Sequence, residues 1–86
     1  MTKDQFIQWA VGKGWELDKY GHLQRQHESR GVMETYRYKL NAYSVRREVR
    51  SSIGGKNEWV RLKSAYYKNL SVTLEGKISG FRIRGA

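Results

Sequence analysis

From Trp15 onward the apolar residues recur mostly at every second position, with charged residues between them. A period of two sends alternate side chains to opposite faces of a strand, so this chain must fold as sheet with one apolar face. Val32, Tyr36, Tyr38 and Leu40 share one parity, and Arg37 and Lys39 take the other. Near Asn41-Ala42 the apolar parity flips to Tyr43, Val45 and Val49, which a turn or a β-bulge would produce. Trp59, Val60 and Leu62 follow, with Arg61 and Lys63 set against Val60 and Leu62. Ile78, Phe81 and Ile83 form the last strand, with Arg82 and Arg84 on its other parity. Earlier, Trp15 and Leu17 are joined to Leu23 and Arg25 by a tight turn at Tyr20-Gly21. Residues 28–31 and Ser51 to Asn57, with Gly54-Gly55, read as loops, and Glu75-Gly76 as a two-residue hairpin turn. Ser64 to Asn69 fits a helical turn or a bulged strand.

The first residues obey a different period. Thr2 and Gln5 match a capping box, and Met1 and Phe6 occupy hydrophobic-staple positions. Phe6, Ile7, Ala10 and Val11 give one apolar stripe, and Gly12 and Gly14 supply a stop. A helix is therefore expected over residues 3–12. Trp9 lies off the stripe and either widens the buried face or is exposed. The fold class is α+β: a short N-terminal helix, then an antiparallel β-meander of about five to seven strands. Residues 1–86 form one domain, β-rich from about 15 to 83, without linkers or repeats.

Leu, Ile, Val and Phe make up 18 of 86 residues, close to the roughly 20% below which charged chains tend to be disordered. Three Trp and six Tyr supply the missing apolar area, so the core is expected to be aromatic. A homodimer is one way to hide more of it. The chain has no Cys, which removes disulfides, thiolate metal sites and a cysteine nucleophile. No apolar run approaches the roughly 18 residues of a membrane span, and the N-terminus lacks a signal-peptide core. The expectation is a soluble protein of the cytoplasm that does not engage membranes.

Seventeen Lys and Arg face eight Asp and Glu, a formal charge of +9. The first 24 residues are neutral, so the whole excess lies in the predicted strands and loops. Basic residues recur at alternate positions in Arg37/Lys39, Arg61/Lys63 and Arg82/Arg84, and Arg46, Arg47, Arg50 and Lys56 cluster around the central loop. Strands in one sheet with matching parity would merge these into one basic surface. Such spacing suits successive phosphates, whose counterions are released on binding. The expected phosphate contacts are Arg37, Lys39, Arg46, Arg47, Arg50, Lys56, Arg61 and Lys63. Of the adjacent Tyr66 and Tyr67 only one can point inward, and parity with Leu62 and Leu70 nominates Tyr67 as exposed. Tyr67 and Trp59 are the expected base or sugar contacts. A solvated outer face that keeps a small β-protein from aggregating is the competing explanation.

Nothing in the chain suggests catalysis. His22 and His27, five apart, lie on opposite faces of an uninterrupted strand, and HExxH and GxSxG patterns are absent. Gly54-Gly55-Lys56 lacks the phosphate-loop spacing. No metal or other cofactor is expected.

Gly14-Trp15 with Asp18 and Gly21-His22, Tyr36-Arg37-Tyr38-Lys39-Leu40, Ser44-Val45-Arg46 with Glu48, and Trp59-Val60-Arg61 with Ser64-Ala65-Tyr66-Tyr67-Lys68-Asn69-Leu70 complete the pattern. In this texture the chain resembles the small orphan proteins of bacteriophages and mobile elements of Gram-positive hosts. The resemblance implies a host-takeover, nucleic-acid-handling or anti-defence role in the bacterial host cell, including inhibition of CRISPR nucleases. It carries over no functional residues. The leading expectation is a non-catalytic protein that binds DNA or RNA largely independently of sequence. The alternative is an inhibitor whose same basic and aromatic surface docks on an acidic host or defence protein, or on its nucleic-acid-binding site.

Overall fold

A computed structural model of the chain describes residues 1–51 and 58–83. The expected loop through Gly54-Gly55, with Lys56, and the expected position of Arg84 lie outside the described residues. Helix α1 (Lys3–Gly12) is followed by β1 (Glu16–Leu17), β2 (Leu23–Ser29), β3 (Val32–Leu40), β4 (Ser44–Ser51) and β5 (Val60–Tyr66). A 3₁₀ turn (Tyr67–Asn69) leads to β6 (Ser71–Val72), β7 (Ile78–Ser79) and β8 (Arg82–Ile83). Among the described residues the strands form a six-stranded antiparallel sheet in the order β1-β2-β3-β4-β5-β8, and β6 pairs with β7. The α+β meander expected from the alternation is the architecture observed. None of the described helices is long and apolar enough to cross a membrane.

The capping box starts α1 as its sequence dictates. The Thr2 hydroxyl accepts the Gln5 amide at 3.2 Å, and the Thr2 amide donates to Gln5 Oε1 at 2.9 Å. Phe6 and Ala10 are fully buried, whereas Val11 is exposed. Trp9 covers the buried face instead, and its indole donates to the Gly76 carbonyl at 2.8 Å. The core is aromatic. Phe6 meets Tyr38 edge-on at 5.0 Å, with Tyr67 at 6.0 Å and Phe81 at 6.4 Å. Trp15 packs on the other side of Tyr38 at 4.3 Å. Such pairs add about 0.5–1.5 kcal/mol each beyond simple burial.

The turns set the register. Arg30 and Gly31 have φ of 52° and 77°, and Ser29 pairs with Val32. The loop expected over 28–31 is thus a two-residue hairpin turn with both central residues left-handed, as a type I′ turn needs. The parity flip after Leu40 is a turn, closed by the Asn41 amide on the Ser44 carbonyl at 2.8 Å. The bulge falls elsewhere. Arg47 pairs with Lys63 and Glu48 with Arg61, which leaves Leu62 as the extra residue of β5. Ser64 to Asn69, open between two readings, is strand to Tyr66 and then a 3₁₀ turn. The Glu75-Gly76 turn is wider than two residues: the Thr73 amide reaches the Lys77 carbonyl, and Leu74 is fully exposed.

The turn before β2 is organised by side chains. Asp18 Oδ1 accepts the amides of Tyr20 and His22, both at 2.9 Å. Burial would raise the Asp18 pKa, but these amides and the Gln24 side chain outweigh it and hold it below its usual 3.8. His22 Nδ1 accepts the Leu40 amide at 3.0 Å. An amide only donates, so His22 is neutral with its proton on Nε2. Burial pushes its pKa below the usual 6.5; Asp18 opposes this, and Arg37 and Lys39 add to it.

Two outcomes follow for stability. Because the folded His22 pKa lies below 6.5, its contribution is complete above pH 6.5 and disappears as pH falls through the folded value. Thermal melts between pH 7.5 and 4.5 should show a declining midpoint beginning near pH 6.5. His22→Asn, which keeps an acceptor near Nδ1, should flatten that limb. Gly80 has φ of 112°, and a Cβ there would strike the Asn69 carbonyl oxygen. Gly80→Ala should cost about 2 kcal/mol or more in urea denaturation.

Candidate functional site

Residues paired across an antiparallel ladder share a face, so the register assigns every strand side chain to one side. Leu23, Tyr38, Leu40 and Val45 point to the side covered by α1 and the β6–β7 hairpin. The other side carries Arg37 and Lys39 of β3, Arg46 and Arg50 of β4, Arg61 of β5 and Arg82 of β8. Its acids among the strands are Glu48 at the centre, Glu16 at the β1 edge and Glu28 at the far end of β2. Among the described residues no helix or strand covers this open face.

Glu48 sits at the bottom of it, 6% exposed. Arg37 grips one carboxylate oxygen, with Nη2 at 2.7 Å and Nε at 3.0 Å. The Arg37 guanidinium also stacks 4.0 Å from the Trp59 ring centre, and Arg50 lies 4.7 Å from the same ring. Trp59, expected on the surface as a base or sugar contact, is half-buried as the partner of two arginines. Arg37 is thus committed to Glu48 and Trp59. Lys39, Arg46, Arg50, Arg61 and Arg82 have no carboxylate within ion-pair distance among the described residues.

Three expected contacts fall elsewhere. Arg61 and Lys63, expected on one face, are split by the Leu62 bulge, which sends Lys63 to the helix side. There Lys63 lies 4.8 Å from the Phe81 ring, and burial, with Arg47 nearby, lowers its pKa. Arg47 is on the helix side too, because it pairs with Tyr38. Its guanidinium sits 5.3–5.4 Å from the rings of Trp15, Tyr36 and Tyr38, and Nη1 donates to the Tyr38 hydroxyl at 3.3 Å. Tyr67, expected exposed, is 4% exposed. The strand ends at Tyr66, and the 3₁₀ turn swings Tyr67 into the core, so strand parity no longer applies. Its hydroxyl donates to the Asn41 carbonyl at 2.9 Å, and burial pushes its pKa up to about 12.

Two residues were missing from the expected contacts. Arg82 shares the open face through its pairing with Ser64, and its alternation with Phe81 and Ile83 was the available signal. Tyr66, not Tyr67, is the exposed member of the pair, at 57%. Arg46, Arg61, Arg82, Tyr66, Asn41 and Asn69 border a groove of about 440 Å³ at the β8 end of this face. Arg46 Nε, like Arg47 Nε on the helix side, is buried without a hydrogen-bond acceptor among the described residues. The groove is a convergence of three cations, two amides and one exposed ring, which suits an anionic, partly aromatic ligand.

No protein-family model, curated protein or solved structure matches this chain.

The relocation of Tyr67 has a measurable consequence. Tyr67→Phe should destabilise the fold by about 1 kcal/mol, through loss of the bond to Asn41. Its affinity for any polyanion should equal that of the parent chain in the same titration.

Proposed function

We propose that the protein binds nucleic acid through the open face of its sheet, without catalysis and largely without reading base sequence. The observation that carries this reading is the segregation of charge. Five cations outside any ion pair among the described residues share a face that no described helix or strand covers, and the central acid, Glu48, is gripped by Arg37. Lys39 and Arg46 are directly opposed across β3 and β4. Like charges in that position destabilise a sheet, and a row of phosphates relieves the repulsion. A merely solubilising face would gain from interspersed signs. Five neutralised phosphates release their condensed counterions, which supplies affinity without base contacts. Among the described residues the face carries no helix to enter a major groove, in keeping with backbone recognition.

Binding to a labelled oligonucleotide should weaken with salt, with a slope of log K against log salt of about −3.5 for single strands and −4.5 for duplex. Arg61→Gln should reduce the single-strand slope by about 0.7, and Lys63→Gln, on the opposite side, should leave it unchanged. Salt-insensitive binding, or none at low salt, refutes the reading. Capture of one stoichiometric protein that survives nuclease treatment, with no affinity for DNA or RNA, would instead favour an inhibitor docking on an acidic protein surface.

A further inference from the structure

Charge alone does not distinguish duplex from single strand, but the groove at the β8 end does. We infer that it seats one unpaired nucleotide of a single strand, with its phosphate on Arg46, Arg61 and Arg82 and its base against Tyr66. The inference rests on the nucleic-acid reading of the open face and narrows its substrate class.

Three features of the groove favour this occupant. First, its cations come from three adjacent strands. Arg46 is opposite Ser64, Ser64 is opposite Arg82, and Arg61 lies on the same face of β5. Guanidiniums converging from several directions suit one tetrahedral oxyanion better than a flat acidic surface, because each presents a planar fork to a different oxygen. Second, the ring of Tyr66 is more than half exposed beside these cations, with the Lys68 ammonium 5.9 Å from its centre. Any base has a face that stacks on such a ring, so this contact needs no particular sequence. Third, the Asn41 and Asn69 amides border the same space. They offer donors and acceptors to a sugar or base edge, which an acidic peptide would leave unused. About 440 Å³ is room for one nucleotide. A base held in a duplex reaches Tyr66 only by leaving its stack, whereas an unpaired base does so at little cost.

Equilibrium titrations separate this from the parent reading. Fluorescence anisotropy is measured at low salt, with a labelled thymidine oligonucleotide of about a dozen residues and a duplex of similar length. Tyr66→Ala, Tyr66→Phe and Arg82→Gln are compared with the parent chain, and unfolding midpoints check that each variant folds. The expected result is a roughly tenfold loss of single-strand affinity in Tyr66→Ala, with duplex affinity changed less than about twofold. Tyr66→Phe, which keeps the ring, should match the parent. Arg82→Gln should weaken the single strand and lower its salt slope by about 0.7. If the parent binds both nucleic acids and Tyr66→Ala weakens both equally or neither, the groove assignment falls and the open-face reading stands. If poly-L-glutamate displaces the oligonucleotide as well as free oligonucleotide does, the groove is a general anion site and the assignment also falls. If the parent binds neither nucleic acid, the open-face reading fails and takes the inference with it.

Discussion

The Phe6 ring is the contact on which the rest of the molecule depends. It joins the helix to the centre of the sheet through Tyr38, to the 3₁₀ turn through Tyr67 and to the residue that leads into the last strand through Phe81. A chain so poor in aliphatic residues has few other ways to cover a six-stranded sheet. Large rings bury more area per residue than aliphatic side chains, so a few of them close the core with one ten-residue helix. The same economy leaves no second layer. One face of the sheet is sealed by rings, and the other is free to carry charge.

That charge is handled differently on the two sides. On the helix side Arg47 and Lys63 lie directly opposite each other, and their repulsion is moderated by aromatic faces: Trp15, Tyr36 and Tyr38 around Arg47, and Phe81 beside Lys63. These cations belong to the packing. On the open side the one ion pair among the described residues is Arg37 with Glu48, and Arg61 stands opposite Glu48 on the next strand without reaching ion-pair distance. Beyond that pair Arg50 lies against Trp59, and Lys39, Arg46 and Arg82 have no carboxylate partner among the described residues. Two populations of basic residues with the same spacing in sequence therefore do different work.

The helix was legible to the residue because its signals are local: a capping box, a stripe and a glycine stop act within ten positions. The meander was legible because alternation runs unbroken from Tyr36 to Leu40 in β3, the central strand of the described hairpins. What could not be read was the face of each cation in β5. Leu62 carries no mark of a bulge, yet the bulge moves Arg61 and Lys63 to opposite sides. Tyr67 was misassigned for a similar reason, since strand parity cannot be extended through a 3₁₀ turn whose start has no side-chain cap. At Arg30-Gly31 the structure has a two-residue turn in place of the loop expected over 28–31; arginine is a poor left-handed residue, and pairing of the flanking strands overrides that local preference. In each case the deciding term is long-range pairing, which a single sequence does not display. The charge segregation, by contrast, was visible in outline, and the register only divided it between two faces.

The docking of α1 has a consequence for how the fold loosens. Its fixed partners lie far along the sequence: the Trp9 indole is held by the Gly76 carbonyl, and the Met1 nitrogen by the carbonyls of Tyr67 and Leu70. An isolated helix of ten residues is marginal in water, so α1 owes its persistence to a hairpin and a turn more than sixty positions away. A loosened β6–β7 hairpin would therefore be felt first at the opposite end of the described sequence, as fraying of the helix.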